Sequence, residues 1–518
     1  MGTSRLQRDI RILPFRGSDR HLHHPTAAGR VKVCGMEIPD ILDTPDTALE
    51  LPATALRGLV EAALDRVLAH LDSLPRQPAA ETEGAIELAR ALIEREAPET
   101  GTPPEELLDL LFTKAIPKSF NTAGPGYLAY IPGGGLPHAA VADFIADATN
   151  RYVGVFAAAP ALVQLETNVV RWLCGIVGYG PSAGGVLTSG GSLANFSALV
   201  AARRERLPDD FLKGTLYVSD QGHHSIQKAA LLAGFPPANV REVASDGSFR
   251  IRVGALEEAV AKDRRAGKAP FFLVANAGST NTGAVDDLPA LADFCARERL
   301  WLHVDAAYGG FFLLTERGRR AMAGIERADS VVLDPHKGLF LPYGTGSLLV
   351  KDAAALRRAH SVGAHYLPGM QADPDLVDFC EISPELSRDF RGLRVWLPIK
   401  MHGLGPFRRN LDEKLDLALW ATEELRKVPG IEIVAEPQLS LVAFRLASPG
   451  RSGEELDALN RGFMNRINAR QRIHLTGTLA HGRFVLRICV LSFRTHLPRM
   501  KEGLEDIRQA ARECFERE

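Results

Sequence analysis

The sequence predicts an α/β fold on a mainly parallel central sheet, and three observations carry that expectation. From about residue 120 to 400, short apolar runs alternate with helical patterns, as in "GTLYVSDQGHHSIQKAALLAG" and "FFLVANAGSTNTGAVDDLPALADFC". That is the texture of βαβ units whose sheet is covered on both faces. The runs end in Gly, Ser, Asp or Asn, which turn a strand into the loop or helix after it. Beyond about 400, "IEIVAEPQLSLVAFRL" and "GRFVLRICVLSFRTH" read as strands bracketed by helices at 411–427, 453–469 and 498–516, which predicts a smaller C-terminal α/β domain.

In chain order, residues 1–50 are rich in Arg, His, Pro and Asp with little periodicity, and predict an irregular arm. Residues 51–120 predict an N-terminal helical segment: "LRGLVEAALDRVLAHLDSL" (56–74), "GAIELARALIERE" and "PEELLDLLFTKAI" place apolar residues at helical spacing, with "PRQPAAETE" as a linker. Residues 121–400 form the large α/β domain and 401–518 the small one.

Composition narrows the function. A chain of 518 residues with 46% hydrophobic and 24% charged residues is an ordinary globular chain able to bury a sizeable core. Its net charge of −2 gives no reason to expect nucleic acid or an anionic membrane as partner, which favours a small molecule. The six cysteines (34, 174, 295, 380, 489 and 514) form no CxxC pair, which argues against a zinc site and against a disulfide scaffold and points to a reducing cytoplasm. The N-terminus lacks the apolar core of a signal peptide, and no run approaches 18 apolar residues, so no membrane span is expected.

In open α/β sheets ligands bind at the carboxyl ends of the strands, and the unusual segments of this chain sit at such predicted ends. "TSGGSLAN" (188–195) opens a helix behind Gly190, Gly191 and Ser192, whose backbone N–H groups and helix dipole suit a phosphate; as a lone motif it is also an ordinary turn. In "WLHVDAAYGG", Asp305 follows a continuous apolar strand, where a buried carboxylate needs a cationic or hydrogen-bonding partner, or caps the next turn. The two alanines after it leave a flat surface. "SDQGHHSIQKA" offers His223 and His224. In "LDPHKGLFLPYGTG", Lys337 stands at a strand end beside His336; it is either a solvated loop charge or an amine that its apolar strand desolvates, lowering its pKa for nucleophilic or Schiff-base work. Jointly these parts match pyridoxal phosphate, which has a phosphate tail, a pyridine nitrogen to be kept protonated, a ring to be stacked and an aldehyde for a lysine.

Through "HVDAAYGG", "DPHKGLFLPYGTG", "SDQGHHS", "APALVQLETNVVRWL" and "FRGLRVW" the chain resembles the group II pyridoxal-phosphate-dependent amino acid decarboxylases, of aminotransferase-like fold type I, from about residue 50 onward. The resemblance implies that Lys337 forms the internal aldimine, that Asp305 pairs with the pyridinium nitrogen, and that His223 rather than His224 stacks on the ring and contacts the substrate carboxylate. It implies Ala307 on the opposite face with Thr280 nearby, and Gly191, Ser192, Asp334 and His336 around the phosphate. It likens "AYIPGGG" (129–135) to a substrate-pocket wall with Tyr130, Pro132 and Gly133. It also implies a homodimer, and decarboxylation of an L-amino acid through an external aldimine and a quinonoid. The absence of arginine in 127–137 disfavours a glutamate-like substrate, leaving an aromatic or bulky apolar one.

Three departures stand out. Gly338 follows the lysine where many relatives carry tryptophan, which suggests altered or roomier packing. Gly133 to Gly135 lack a hydroxyl for a substituent on the substrate ring. Counting back from "FRGLRVW", Phe379 falls where the family has its proton-donating tyrosine. That substitution opens an alternative: O2-dependent conversion to an aldehyde, as in related aldehyde synthases. A shifted loop with Tyr366 as donor keeps the amine-forming reaction.

Overall fold

A computed structural model describes residues 49–362 and 376–516, together with the backbone of Lys32–Val33 and Met36–Glu37. The chain divides into two compact units, Met1–Leu64 and Asp65–Glu518. Within the first, β1 (Lys32–Val33) and β2 (Met36–Glu37) pair antiparallel; most of the expected arm lies outside the described residues. The helix Ala53–Ser73 realises the first predicted helix and buries none of its residues. The second predicted helix is short, Ala85–Ala91, and the third runs Pro104–Asp109 before widening into a π-type turn at Leu110–Ala115.

The second unit holds two sheets. The larger has seven strands: β3 (Gly184–Thr188), β4 (Gly214–Ser219), β5 (Val240–Val243), β6 (Ala269–Asn276), β7 (Trp301–Asp305), β8 (Ser330–Leu333) and β9 (Gly346–Val350). Their spatial order is β3-β9-β8-β7-β6-β4-β5. Strands β8, β7, β6, β4 and β5 are mutually parallel, while β9 is antiparallel to both β8 and β3. Strand β3 therefore points the same way as the parallel set, and six carboxyl ends share one edge.

The continuous apolar runs follow from burial on both faces. Alternate residues feed different cores: Leu187, Leu273, Leu302, Val304 and Val331 pack into one, and Val186, Leu216, Phe272, Val274 and Val332 into the other. Helices that cover the faces start on local signals. Proline occupies the first turn of Pro137–Thr149 and of Pro160–Val177, where its missing N–H costs nothing, and the Asp287 side chain accepts from Ala290 N to cap Leu288–Glu298.

The smaller sheet is antiparallel, in the order β10 (Ile431–Ala435), β11 (Leu441–Leu446), β13 (Arg483–Cys489), β12 (Thr476–Ala480). It packs on the helices Leu404–Arg426, Gly453–Asn468 and Leu497–Phe515, close to the three expected, around a core that includes Leu417, Phe444, Phe463, Leu486 and Leu504. A capping box between Ser452 and Glu455 starts the middle helix. Among the described residues no helix is long and apolar enough to cross a membrane.

Candidate active site

At the shared carboxyl edge of the large sheet lies a cavity of about 280 Å³. Gly191, Ser192, His223, Thr280, Asp305, Ala307, Asp334, His336 and Lys337, expected from sequence to surround a cofactor, all line it. They come from the carboxyl ends of five strands, β3, β4, β6, β7 and β8, which is why residues up to 146 positions apart converge.

Lys337 sits on the single-turn helix Pro335–Gly338, launched from β8 by Asp334 and Pro335. Its Nζ is 2.9 Å from Asp334 Oδ2. Burial works to lower its pKa, but the Asp334 and Asp305 carboxylates outweigh burial and raise it above the ordinary lysine value. The expectation of a depressed amine is thus corrected: Lys337 is an ammonium held by a carboxylate.

Asp305 ends β7 and accepts from Ala307 N and from Asn195 Nδ2, both at 3.1 Å. His223 lies in the turn after β4, with Nδ1 2.8 Å from Ser225 Oγ and 3.2 Å from Ser225 N. Burial is the largest influence on its imidazole and lowers its pKa, favouring the neutral ring. His224 is exposed, its ring centroid 4.2 Å from that of His223, and does not line the cavity.

The helix Gly191–Arg206 opens at the cavity with Gly190 as an N-cap that supplies no side-chain hydrogen bond. Leu193 N and Ala194 N turn back to Gly190 O, leaving the first helical N–H groups for an anion. A Cβ on Gly191 would lie 3.0 Å from Asp334 Oδ2 and 3.3 Å from Ala307 Cβ, so close approach selects glycine there.

The remaining expected residues lie elsewhere. Tyr130, with φ +49°, is 54% exposed, while Pro132 and Gly133 are buried. A Cβ on Gly133 would lie 2.1 Å from His336 O, so this run packs tightly against the Lys337 turn but does not line the cavity. Phe379 is 1% exposed and belongs to the core that includes Val163, Val186 and Phe390. The Arg388 guanidinium lies 4.8 Å from its ring centroid, and Arg388 forms an ion pair of 2.6 Å with Glu166, both side chains fully buried. Phe379 therefore packs in the core of this chain and does not line the cavity with the other expected residues. Tyr366 lies outside the described residues.

Gly338 needs a correction too. It is buried, and a Cβ there would meet Phe311 Cβ at 2.6 Å, so the packing is altered but no roomier.

Sequence reading missed Asn195, Ser225 and His303. All stand inside the motifs that drew attention, and His303, two residues before Asp305, shares its face of β7. It also missed Arg487 of β13, which reaches the site's rim and donates to the Thr280 carbonyl and, at 2.9 Å, to Thr476 Oγ1.

A strand-end lysine, a hydrogen-bonded carboxylate, a half-buried imidazole and an open helix N-terminus around one cavity define a class, the fold type I pyridoxal-phosphate enzymes, and the donor set fits that cofactor. Residues 87–447 match the pyridoxal-dependent decarboxylase conserved domain. An aromatic-L-amino-acid decarboxylase of Bacillus atrophaeus is 35% identical over 90% of this chain and 97% of its own. A phenylacetaldehyde synthase of Arabidopsis thaliana is 29% identical over 81% and 88%. The crystal structure of Catharanthus roseus tryptophan decarboxylase in complex with L-tryptophan superposes with a TM-score of 0.82 at 28% identity, covering 90% of this chain and 99% of that one. The chain belongs to the pyridoxal-dependent decarboxylase family and is a pyridoxal-phosphate-dependent amino acid decarboxylase.

Proposed function

We propose that this enzyme removes the α-carboxylate of an aromatic or similarly bulky apolar L-amino acid and releases the amine, acting as a cytoplasmic homodimer. The observation that carries the reading is the convergence of Lys337, Asp305 and His223 on one cavity behind an open helix N-terminus. Relatives with aromatic amino acid substrates in their names support the substrate class.

Pyridoxal phosphate, when bound, supplies the electron sink for the pair left behind as CO2 departs. The chain's own residues do the rest. Lys337 would hold the cofactor aldehyde, and Asp305 would accept from the protonated pyridine nitrogen. His223 would cover one ring face and meet the substrate carboxylate, and the Ala307 methyl would lie under the other. Gly191, Ser192, Asp334 and His336 would surround the phosphate end, with Thr280 nearer the ring. Lys337 could also give or take a proton at the α-carbon of the bound substrate.

The dimer is supported by the helix Pro137–Thr149, which exposes Val141, Phe144 and Ile145 at one-face spacing. The cytoplasmic assignment rests on the cysteine usage described above. The O2-dependent alternative, raised by Phe379 and by the aldehyde synthase among the relatives, predicts different products from the same substrates.

A panel of L-tryptophan, L-tyrosine, L-phenylalanine and L-glutamate, incubated with holoenzyme in air and under argon, tests the reading. Equal yields of aromatic amine in both atmospheres are expected. Aldehyde and peroxide formed only in air would overturn it, as would turnover of glutamate alone.

A further inference from the structure

Behind the cavity runs a chain of hydrogen bonds with a single direction. It starts at Trp301, whose indole N–H can only donate, and does so to Ser330 Oγ at 2.8 Å. The one Ser330 proton is then free for His303 Nδ1, also at 2.8 Å. An imidazole that accepts at Nδ1 carries its proton on Nε2, which faces Asn195 Oδ1 at 2.9 Å. With its oxygen committed there, Asn195 turns its amide NH2 the other way, to Asp305 Oδ2 at 3.1 Å and Ser225 Oγ at 2.9 Å.

Ser225 receives from Asn195, so its own proton goes to His223 Nδ1 at 2.8 Å, where Ser225 N also donates at 3.2 Å. His223 is left with its proton on Nε2. The far end agrees with the near end: a carboxylate can only accept, as an indole can only donate, and the amide fits between them in one orientation. Trp301, Ser330, His303, Asn195 and Ser225 are all 5% exposed or less.

We propose that Trp301, Ser330, His303 and Asn195 form a positioning relay that fixes the hydrogen-bond polarity of both Asp305 and His223 from behind the cavity. Trp301, Ser330 and His303 do not line the cavity, and their hydrogen bonds reach it through Asn195. One amide sets the two groups that are to hold the cofactor ring, and its orientation is decided three residues away, at Trp301. Burial, which lowers the His303 pKa to about 4, keeps the relay imidazole neutral at working pH. The inference rests on reading the cavity as the cofactor site.

Two measurements test it. Multiple-bond 1H–15N NMR on the histidine-labelled protein, recorded both without and with added pyridoxal phosphate and with the His303 signals assigned by their loss in His303→Gln, is expected to show the Nε2–H tautomer alone and no titration between pH 5.5 and 8. A protonated Nδ1, or titration near the ordinary histidine value, overturns the relay. Second, His303→Phe removes both contacts and is expected to weaken pyridoxal phosphate retention about tenfold, while His303→Gln, which can accept from Ser330 and donate to Asn195, stays within about threefold of wild type. Equal retention by His303→Phe and wild type refutes a positioning role. If wild-type apoprotein takes up no pyridoxal phosphate at all, the reading of the cavity fails instead, and the NMR result still judges the relay's polarity. The NMR arm needs no variant to bind cofactor, so a poorly folded His303→Phe does not decide the matter.

Discussion

The Lys337 ammonium lies 2.9 Å from Asp334 Oδ2, on the same short helix and its cap. The pair makes the resting lysine a poor nucleophile, because only the free amine attacks an aldehyde and the carboxylates outweigh burial to hold the proton on. Attachment of pyridoxal phosphate to the apoprotein therefore rises with pH toward the raised lysine pKa. In Asp334→Asn the burial effect is left less opposed, and the midpoint moves to lower pH. Borohydride-trapped adduct on Lys337, measured across pH for both proteins, checks the direction.

Phe379→Tyr separates a core role from a catalytic one. A hydroxyl introduced beneath Arg388 enters a site 1% exposed and, without a partner, costs about 1–3 kcal/mol. Urea unfolding is expected to show that loss while the ratio of amine to aldehyde stays fixed. A change in that ratio with stability intact would return Phe379 to the active site.

Gly338→Ala introduces a Cβ 2.6 Å from Phe311 Cβ, inside van der Waals contact. Both sides are buried and cannot swing away, so overpacking costs about 1–3 kcal/mol. The denaturant midpoint should fall with an unchanged slope, and since the strain falls beside Lys337, cofactor retention should weaken with it.

His303 links stability to acid. Its folded pKa of about 4 is below the ordinary 6.5, so between those values the unfolded chain binds a proton the folded one refuses. The contribution is fully present above about pH 6.5 and is lost as pH falls toward 4, amounting to on the order of 3 kcal/mol. His303→Gln has no such proton to bind, and its stability, followed by urea unfolding at pH 7 and pH 5, should decline less than that of wild type.

The parts legible in sequence were those written locally. Strand ends announced themselves by an apolar run stopped by Asp, Ser or Gly, and Lys337, Asp305, His223 and Gly191 were found that way. What stayed hidden depends on distance through space. The Asn195–His303 contact joins residues 108 apart, and nothing in either motif says that a helix residue and a strand residue will meet. Lys337 was read by its preceding strand, although its charge state is set by Asp334 three residues earlier on the next turn. Phe379 was placed by counting through a loop, where no periodicity anchors the count; its partners, Arg388 and through it Glu166, come from opposite ends of the domain.

The antiparallel strand β9 carries a consequence for how the molecule comes into being. Strand β3, first of the seven in the chain, has β9, the last, as its only neighbour among the described residues. During synthesis β3 and the Gly191 turn that follows it must wait unpaired for some 150 residues, a long-range closure of the kind that slows folding. Until β9 arrives, one wall of the site has no place to stand. Cofactor capture is therefore a late event that only a finished sheet can perform, and pyridoxal phosphate then stabilises the completed fold by mass action.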